Sequence, residues 1–403
     1  MRKDGLLIAP NFIHDNTKKV SGIMSKTLSC AGVDFKAKWD ADGYLKFLRD
    51  NRFTTVYSNQ LPSTIPLMYV ECSLDMYIVL KNKVFYVGNE VMSVKYEILK
   101  RVVKAAGLKK MWEGKSAEEI VAAKKKANAK NYIPELKDSD FDIDKIQIMG
   151  FTVIRMKHKA KAVHANLFII GGGMVMAPRP DAVKKALRFA KETGVDVYVP
   201  YYPLCTDYPL SKAYAMIHET YKEMLRDYDA GNISVLGTSS GGNLALGIVP
   251  YINDGHDDTP MPGYILAISP GTCVETDEEW QRMLELDKKD VAIPASYMKT
   301  AVDIMKHGDM SVPEYMIWLQ KADFTNCPRV TFVYGSDETL YACAPSFEKV
   351  MKKYSVNYEI IVGEGMFHCY PAFPIVKEAK EGWDKMVDLI RNATKQGSMK
   401  NAI

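Results

Sequence analysis

The sequence holds no run approaching the roughly 18 apolar residues of a membrane span, and it contains no Cys-x-x-Cys pair. Its seven cysteines, at 30, 72, 205, 273, 327, 343 and 369, are odd in number and scattered. That pattern argues against a disulfide scaffold or a structural zinc and reads as reduced thiols in a cytoplasmic protein. The amino terminus offers only a short apolar stretch, Leu6 to Pro10, too little for the core of a signal peptide. Charge of one sign is scarce too: 53 Lys and Arg stand against 49 Asp and Glu, a balance of +4. Nothing there demands a nucleic-acid partner. No internal repeat or low-complexity tract stands out, and residues 1–92 show no phosphate-cradling glycine pattern.

What the 403 residues do contain is an ordinary globular mixture, 47% hydrophobic and 25% charged, long enough to bury a site without staples. The C-terminal part alternates apolar runs of strand length with helical periodicity. Candidate strands fall at 147–156, 166–170, 195–200, 233–237, 263–269, 330–334 and 358–362, with helices near 180–193, 211–226, 240–249, 345–354 and 375–394. This rhythm predicts an α/β fold, a mostly parallel sheet flanked by helices. Pro180 suits a first helical turn and Gly194 the position past a helix end. Upstream, 94–130 reads as two helices, the second opened by a capping box at Ser116-Ala117-Glu118-Glu119. That stretch carries eleven Lys and Arg against four Glu, and the sign reverses through Asp138, Asp140, Asp142 and Asp144. A solvated helix face followed by an acidic linker explains this more simply than an anion site. Before it, short strands at 5–10, 33–38 and 52–58, helices near 16–30 and 41–50, and a hairpin around Lys81-Asn82 are expected. The division that follows is an accessory region over 1–93, a helical segment over 94–142 and a main domain over 143–403.

Gly237-Thr238-Ser239-Ser240-Gly241 matches the G-x-S-x-G nucleophile elbow, with a buried strand before it and an apolar-faced helix after it. Such a turn holds a serine hydroxyl out at the carboxyl edge of a sheet, above a helix amino terminus that favours negative charge. The plainer alternative is a tight turn. A serine nucleophile needs a base oriented by an acid, and both follow it in chain order for this motif. Only His256, His307 and His368 follow. His256 lies in a polar loop and His307 at a helix end, whereas His368 comes just past the strand 358–362. Asp337, on the loop after the strand 330–334, is the candidate acid, with Glu338 beside it as a second carboxylate. Gly171-Gly172-Gly173 follows the strand 166–170 directly, so that backbone N–H groups can converge on one point.

Taken in order, Gly171-Gly172-Gly173, Tyr202-Pro203-Leu204 with Tyr208-Pro209, Gly237-Thr238-Ser239-Ser240-Gly241-Gly242, Gly335-Ser336-Asp337 and Phe367-His368 resemble the hormone-sensitive-lipase-like esterases of the α/β-hydrolase fold. The resemblance covers about residues 95–395 and does not account for 1–92. It implies Ser239 as nucleophile, His368 as base, Asp337 as orienting acid, and an oxyanion hole from the N–H groups of Gly172, Gly173 and Ser240. It also implies that 94–130, with part of 274–320, caps an acyl pocket. The expected partner is a small or medium acyl ester, with no metal and no organic cofactor. Two departures stand out. Ile170 replaces the family's oxyanion-loop histidine, which leaves the loop's geometry to packing, and Thr238 and Ser240 replace an aspartate and an alanine. Met174, Trp280, Tyr315 and Trp318 are candidates for the pocket or for plain packing. An amidase or peptidase on the same fold, or a ligand-binding protein on a hydrolase scaffold, are the other functions considered.

Overall fold

A computed structural model describes residues 94–256, 258–374 and 376–400, together with strands Asn11–Phe12, Tyr57–Gln60, Leu67–Glu71, Met76–Leu80 and Lys83–Val87. The chain divides into two compact units, Met1–Val94 and Lys95–Ile403. In the first, Leu67–Glu71 pairs antiparallel with both Asn11–Phe12 and Tyr57–Gln60. Met76–Leu80 pairs with Lys83–Val87 as the expected hairpin. The strands expected at 5–10 and 33–38 and the helices near 16–30 and 41–50 lie outside the described residues. Of the strand expected at 52–58, only the last two residues are described.

The second unit is built on eight strands: β1 (Phe141–Ile148), β2 (Phe151–His158), β3 (Ala165–Ile169), β4 (Asp196–Pro200), β5 (Ile233–Thr238), β6 (Tyr264–Ile268), β7 (Arg329–Gly335) and β8 (Tyr358–Gly363). They lie in the order β1-β2-β4-β3-β5-β6-β7-β8. β2 runs antiparallel to both neighbours, and all pairs from β4 to β8 are parallel. Among the described residues ten helices accompany them: α1 (Val94–Ala105), α2 (Ala117–Asn128), α3 (Pro180–Thr193), α4 (Leu210–Met224), α5 (Ser240–Tyr251), α6 (Asp277–Asp287), α7 (Ala295–Lys306), α8 (Glu314–Ile317), α9 (Ala344–Lys353) and α10 (Lys377–Lys400).

The central strands read as unbroken apolar runs because both faces of the sheet are covered. Successive side chains point to opposite faces. Leu167 and Ile169 of β3 and Val235 of β5 join one core with the apolar faces of α4, α5 and α9. The intervening Phe168 instead packs edge-on against Phe189 of α3, which in turn meets Trp383 of α10. Because these strands pair in parallel, the carboxyl ends of β3, β5, β6, β7 and β8 lie along one edge.

One expected strand proves to be two. The apolar stretch at 147–156 spans the end of β1 and most of β2, which fold back on each other at Met149-Gly150. Both turn residues have positive φ, 52° and 82°, as a two-residue hairpin turn requires. The acidic segment is therefore partly strand: Asp142 and Asp144 alternate outward along β1, and Asp144 accepts two bonds from the Arg155 guanidinium at 3.0 and 2.7 Å.

The helix-end signals hold. Ser116 and Glu119 form the reciprocal capping box of α2, and Pro180 opens α3. Gly194 ends α3 at φ 76° with open space around a notional Cβ. Gly194→Ala should therefore cost only the backbone strain, about 1–2 kcal/mol, in chemical denaturation, while leaving the site intact.

Candidate active site

Ser239 links β5 to α5 in a conformation that few side chains adopt, φ 54° and ψ −124°. Such strain costs on the order of 1–3 kcal/mol and persists only where the surroundings enforce it. Here the Ser239 N–H donates to Ile268 O, and its own carbonyl accepts from Gly242 and Gly271, all at 2.8 Å. Three backbones cross at the turn. A Cβ on Gly237 would sit 2.0 Å from Gly241 O, one on Gly241 2.1 Å from Ile169 O, and one on Gly171 2.2 Å from Thr238 O. Glycine is the only residue those crossings admit.

The loop after β8 brings His368 to the serine: Nε2 lies 2.9 Å from Ser239 Oγ. Its other ring nitrogen, Nδ1, lies 3.1 Å from Glu338 Oε2. The carboxylate assigns the ring proton to Nδ1 and leaves Nε2 to accept from the serine. The carboxylate against His368 is thus Glu338, and the expectation that Asp337 stands there is corrected. Asp337 faces the other way and forms an ion pair with Lys100 of α1, with Lys289 at 3.7 Å. Glu338 points inward, fully buried, where the carboxylate also accepts from Ser269 Oγ at 2.7 Å.

Ser269 was not anticipated. Its hydroxyl also accepts the Cys369 N–H at 3.0 Å, so one side chain at the end of β6 spans the residue after the base and the acid itself. Its only sequence signal was its place past a strand end. Burial raises the Glu338 carboxyl pKa, against the pull of the bonds from His368 and Ser269. Burial also works against the His368 imidazolium, but the Cys369 sulfur and the Glu338 carboxylate beside it outweigh that, holding its pKa well above 6.5.

The glycine loop after β3 is braced by hydroxyl groups. Thr238 Oγ1 accepts the Gly171 N–H at 3.1 Å, and Ser240 Oγ accepts the Gly172 N–H at 2.8 Å. The Tyr202 hydroxyl donates to Ile170 O at 3.0 Å and lies 3.5 Å from Ser240 Oγ. Burial pushes that phenol up to about 12. The loop is therefore not left to packing: the residues that depart from the expected pattern, Thr238 and Ser240, supply its bonds. The Gly172 N–H, expected to face the oxyanion, is occupied by Ser240. Among the described residues, no protein acceptor faces the N–H groups of Gly173 and Ser240.

A family model described as alpha/beta hydrolase fold matches residues 166–372, just over half of the chain. The chain belongs to this family. Solved structures agree on the fold of this hydrolase. An esterase/lipase from an uncultured bacterium superposes with TM-score 0.63 at 18% identity, over 75% of this chain and 100% of that one. An esterase from the bacterial hormone-sensitive lipase family gives the same score and identity over 75% and 99%. A hormone-sensitive lipase from a metagenome library gives 0.61 at 16% identity over 74% and 98%. No curated protein matches the sequence.

In this α/β-hydrolase a cavity of about 320 Å³ opens over Ser239 and His368. Val103 and Trp112 wall it from the α1–α2 segment, and Tyr297, Met298 and Met305 from α7. Tyr297 is tied to the glycine loop, its hydroxyl donating to Gly173 O at 2.8 Å. Met174 lines the cavity as considered. Trp280, Tyr315 and Trp318 are engaged elsewhere, with Lys299, Asp254 and the Val274 carbonyl respectively. His307 ends α7, its Nδ1 3.1 Å from Cys205 O. Among the described residues no cluster of metal-ligating side chains occurs, and no helix is long and apolar enough to cross a membrane.

Removing the phenol in Tyr202→Phe leaves the Ile170 carbonyl without that donor. The expected loss is about 1–3 kcal/mol of stability, read by urea unfolding.

Proposed function

We propose that this hydrolase is a serine carboxylesterase acting on small to medium acyl esters through a Ser239-His368-Glu338 triad. The observation that carries the reading is the unbroken chain of contacts from Ser239 Oγ through both nitrogens of His368 to Glu338, set on a strained elbow at a helix amino terminus. His368 Nε2 takes the Ser239 proton as Oγ attacks the ester carbonyl, and Glu338 stabilises the imidazolium. The oxyanion that forms is met by the N–H groups of Gly173 and Ser240, while the Gly172 N–H, held by Ser240 Oγ, keeps the loop in place. His368 then protonates the leaving alkoxide. Water activated by the same imidazole hydrolyses the acyl-enzyme. No metal or organic cofactor enters these steps.

The walls of the cavity support the substrate class. Its side chains around the serine are mostly apolar and include five methionines, at 111, 174, 176, 298 and 305, which suit an uncharged acyl chain. A volume of about 320 Å³ stands near the lower end of ligand pockets, which run from about 300 to 1,000 Å³. In this reading residues 94–142 and the helices α6 to α8 act as the cap.

The test is hydrolysis of p-nitrophenyl esters of increasing acyl length. Turnover of short and medium chains that disappears in Ser239→Ala is expected; a folded wild type that turns over none of them overturns the reading. Glu338→Gln should lower kcat by about 10²- to 10⁴-fold, whereas Asp337→Asn leaves a working triad. The reverse ranking would return the acid to Asp337.

The pH dependence follows from the charge on His368. Only the neutral imidazole can accept the serine proton, and a pKa held above 6.5 keeps the ring protonated further into the alkaline range. The acid limb of kcat/KM should therefore have its midpoint above 6.5. In Glu338→Gln the residual activity should show that midpoint moved to lower pH.

A further inference from the structure

The two loops that carry the acid and the base are stitched together by their backbones. Ser336 N–H donates to Gly363 O at 2.9 Å and Asp337 N–H to Met366 O at 3.0 Å, and Gly365 N–H donates to Ser336 Oγ at 2.7 Å. These bonds end one residue short of Glu338 and two short of His368. The residues immediately before the acid and the base, Asp337 and Phe367, are instead gripped from outside, and by the same helix.

Tyr96 and Lys100 stand four residues apart on α1 and so share one of its faces. The Tyr96 hydroxyl accepts the Phe367 N–H at 2.6 Å, and its ring stacks on the Phe367 ring at 5.4 Å and 17°. Tyr96 is fully buried. One turn on, Lys100 forms its ion pair with Asp337, with both side chains largely covered. A helix far away in sequence thus contacts both triad loops, each at the residue preceding a triad member.

We propose that Tyr96 and Lys100 are positioning residues that hold His368 and Glu338 in register for proton transfer. The inference rests on the triad read under the proposed function, and it assigns the carboxylate of Asp337 a role of its own. With Lys100 and Lys289 around it, Asp337 anchors the acid loop to α1 and turns away from the imidazole. Tyr96 fixes the backbone at Phe367, and with it the direction in which His368 leaves the loop. A base displaced by a fraction of an ångström still binds substrate in the same cavity. It accepts the serine proton more slowly.

The experiment compares wild type with Tyr96→Phe, Lys100→Met, their double variant and Lys100→Arg. Tyr96→Phe keeps the ring stack and removes the hydroxyl that accepts the Phe367 N–H. For a well-turned-over p-nitrophenyl ester, each single loss is expected to lower kcat about tenfold, and the double about a hundredfold, with KM within about twofold. Lys100→Arg should retain most of the rate, since the charge remains. A purely structural role predicts the opposite split: lower Tm with kcat within about twofold of wild type, and that outcome overturns the proposal. Should the double variant fail to fold, the single variants decide. A second readout needs no substrate: the far-downfield proton resonance of the His368 Nδ1–H bonded to Glu338, assigned by its loss in Glu338→Gln. It should weaken or shift in Tyr96→Phe and Lys100→Met, and an unmoved resonance overturns the proposal. An enzyme that hydrolyses no ester but shows the expected resonance changes would refute the esterase reading alone.

Discussion

Where β5 turns into α5, three stretches of backbone approach so closely that a single added carbon on Gly171, Gly237 or Gly241 would lie within 2.2 Å of a carbonyl oxygen. Everything that the site can do depends on that crossing. It forces Ser239 into positive φ, aims the hydroxyl away from the sheet, and brings the glycine loop after β3 against the first turn of α5. Gly173 and Ser240, which both line the cavity, come from different strand ends that are held in contact. The parallel sheet makes the crossing possible, since its neighbouring strands β3, β5 and β6 deliver their carboxyl ends to one edge.

Much of this was legible from the residues. The helix over 180–193, the strands after it, the turn at Ser239 and the approach of His368 to it all follow from periodicity, caps and chain order. The carboxylate beside His368 does not. Asp337 and Glu338 are adjacent carboxylates on one loop, and no local pattern says which turns inward. Long-range contacts decide it: Lys100, 237 positions away, draws Asp337 outward, and Ser269 holds Glu338 inward. The hairpin between β1 and β2 was missed for a local reason, because Met149-Gly150 lacks the asparagine or aspartate that usually announces such a turn. Ser269 carries no sequence signal beyond its position, because its role arises only when the end of β6 lies beside β7 and meets the loops that follow β7 and β8.

The helices around the cavity and the loops at its floor are coupled as well. Tyr297 of α7 bonds the carbonyl of Gly173, and Asn128 of α2 bonds Val175 O and the Ala177 N–H just beyond the glycine loop. α1 in turn contacts the loops that carry Glu338 and His368, so α1, α2 and α7 each touch a loop next to Ser239, His368 or Glu338. On the proposed function, substrate selection and catalytic alignment would share the same packing.

The hydroxyl bracing of the glycine loop has an electrical consequence. Threonine and serine hydroxyls do not ionise in water, and the buried Tyr202 phenol does so only at about 12. An imidazole in the place of Ile170 would change its charge near neutrality, and the loop it braced would feel that change. Here the hydroxyl groups that brace the glycine loop carry no charge that changes across the physiological range.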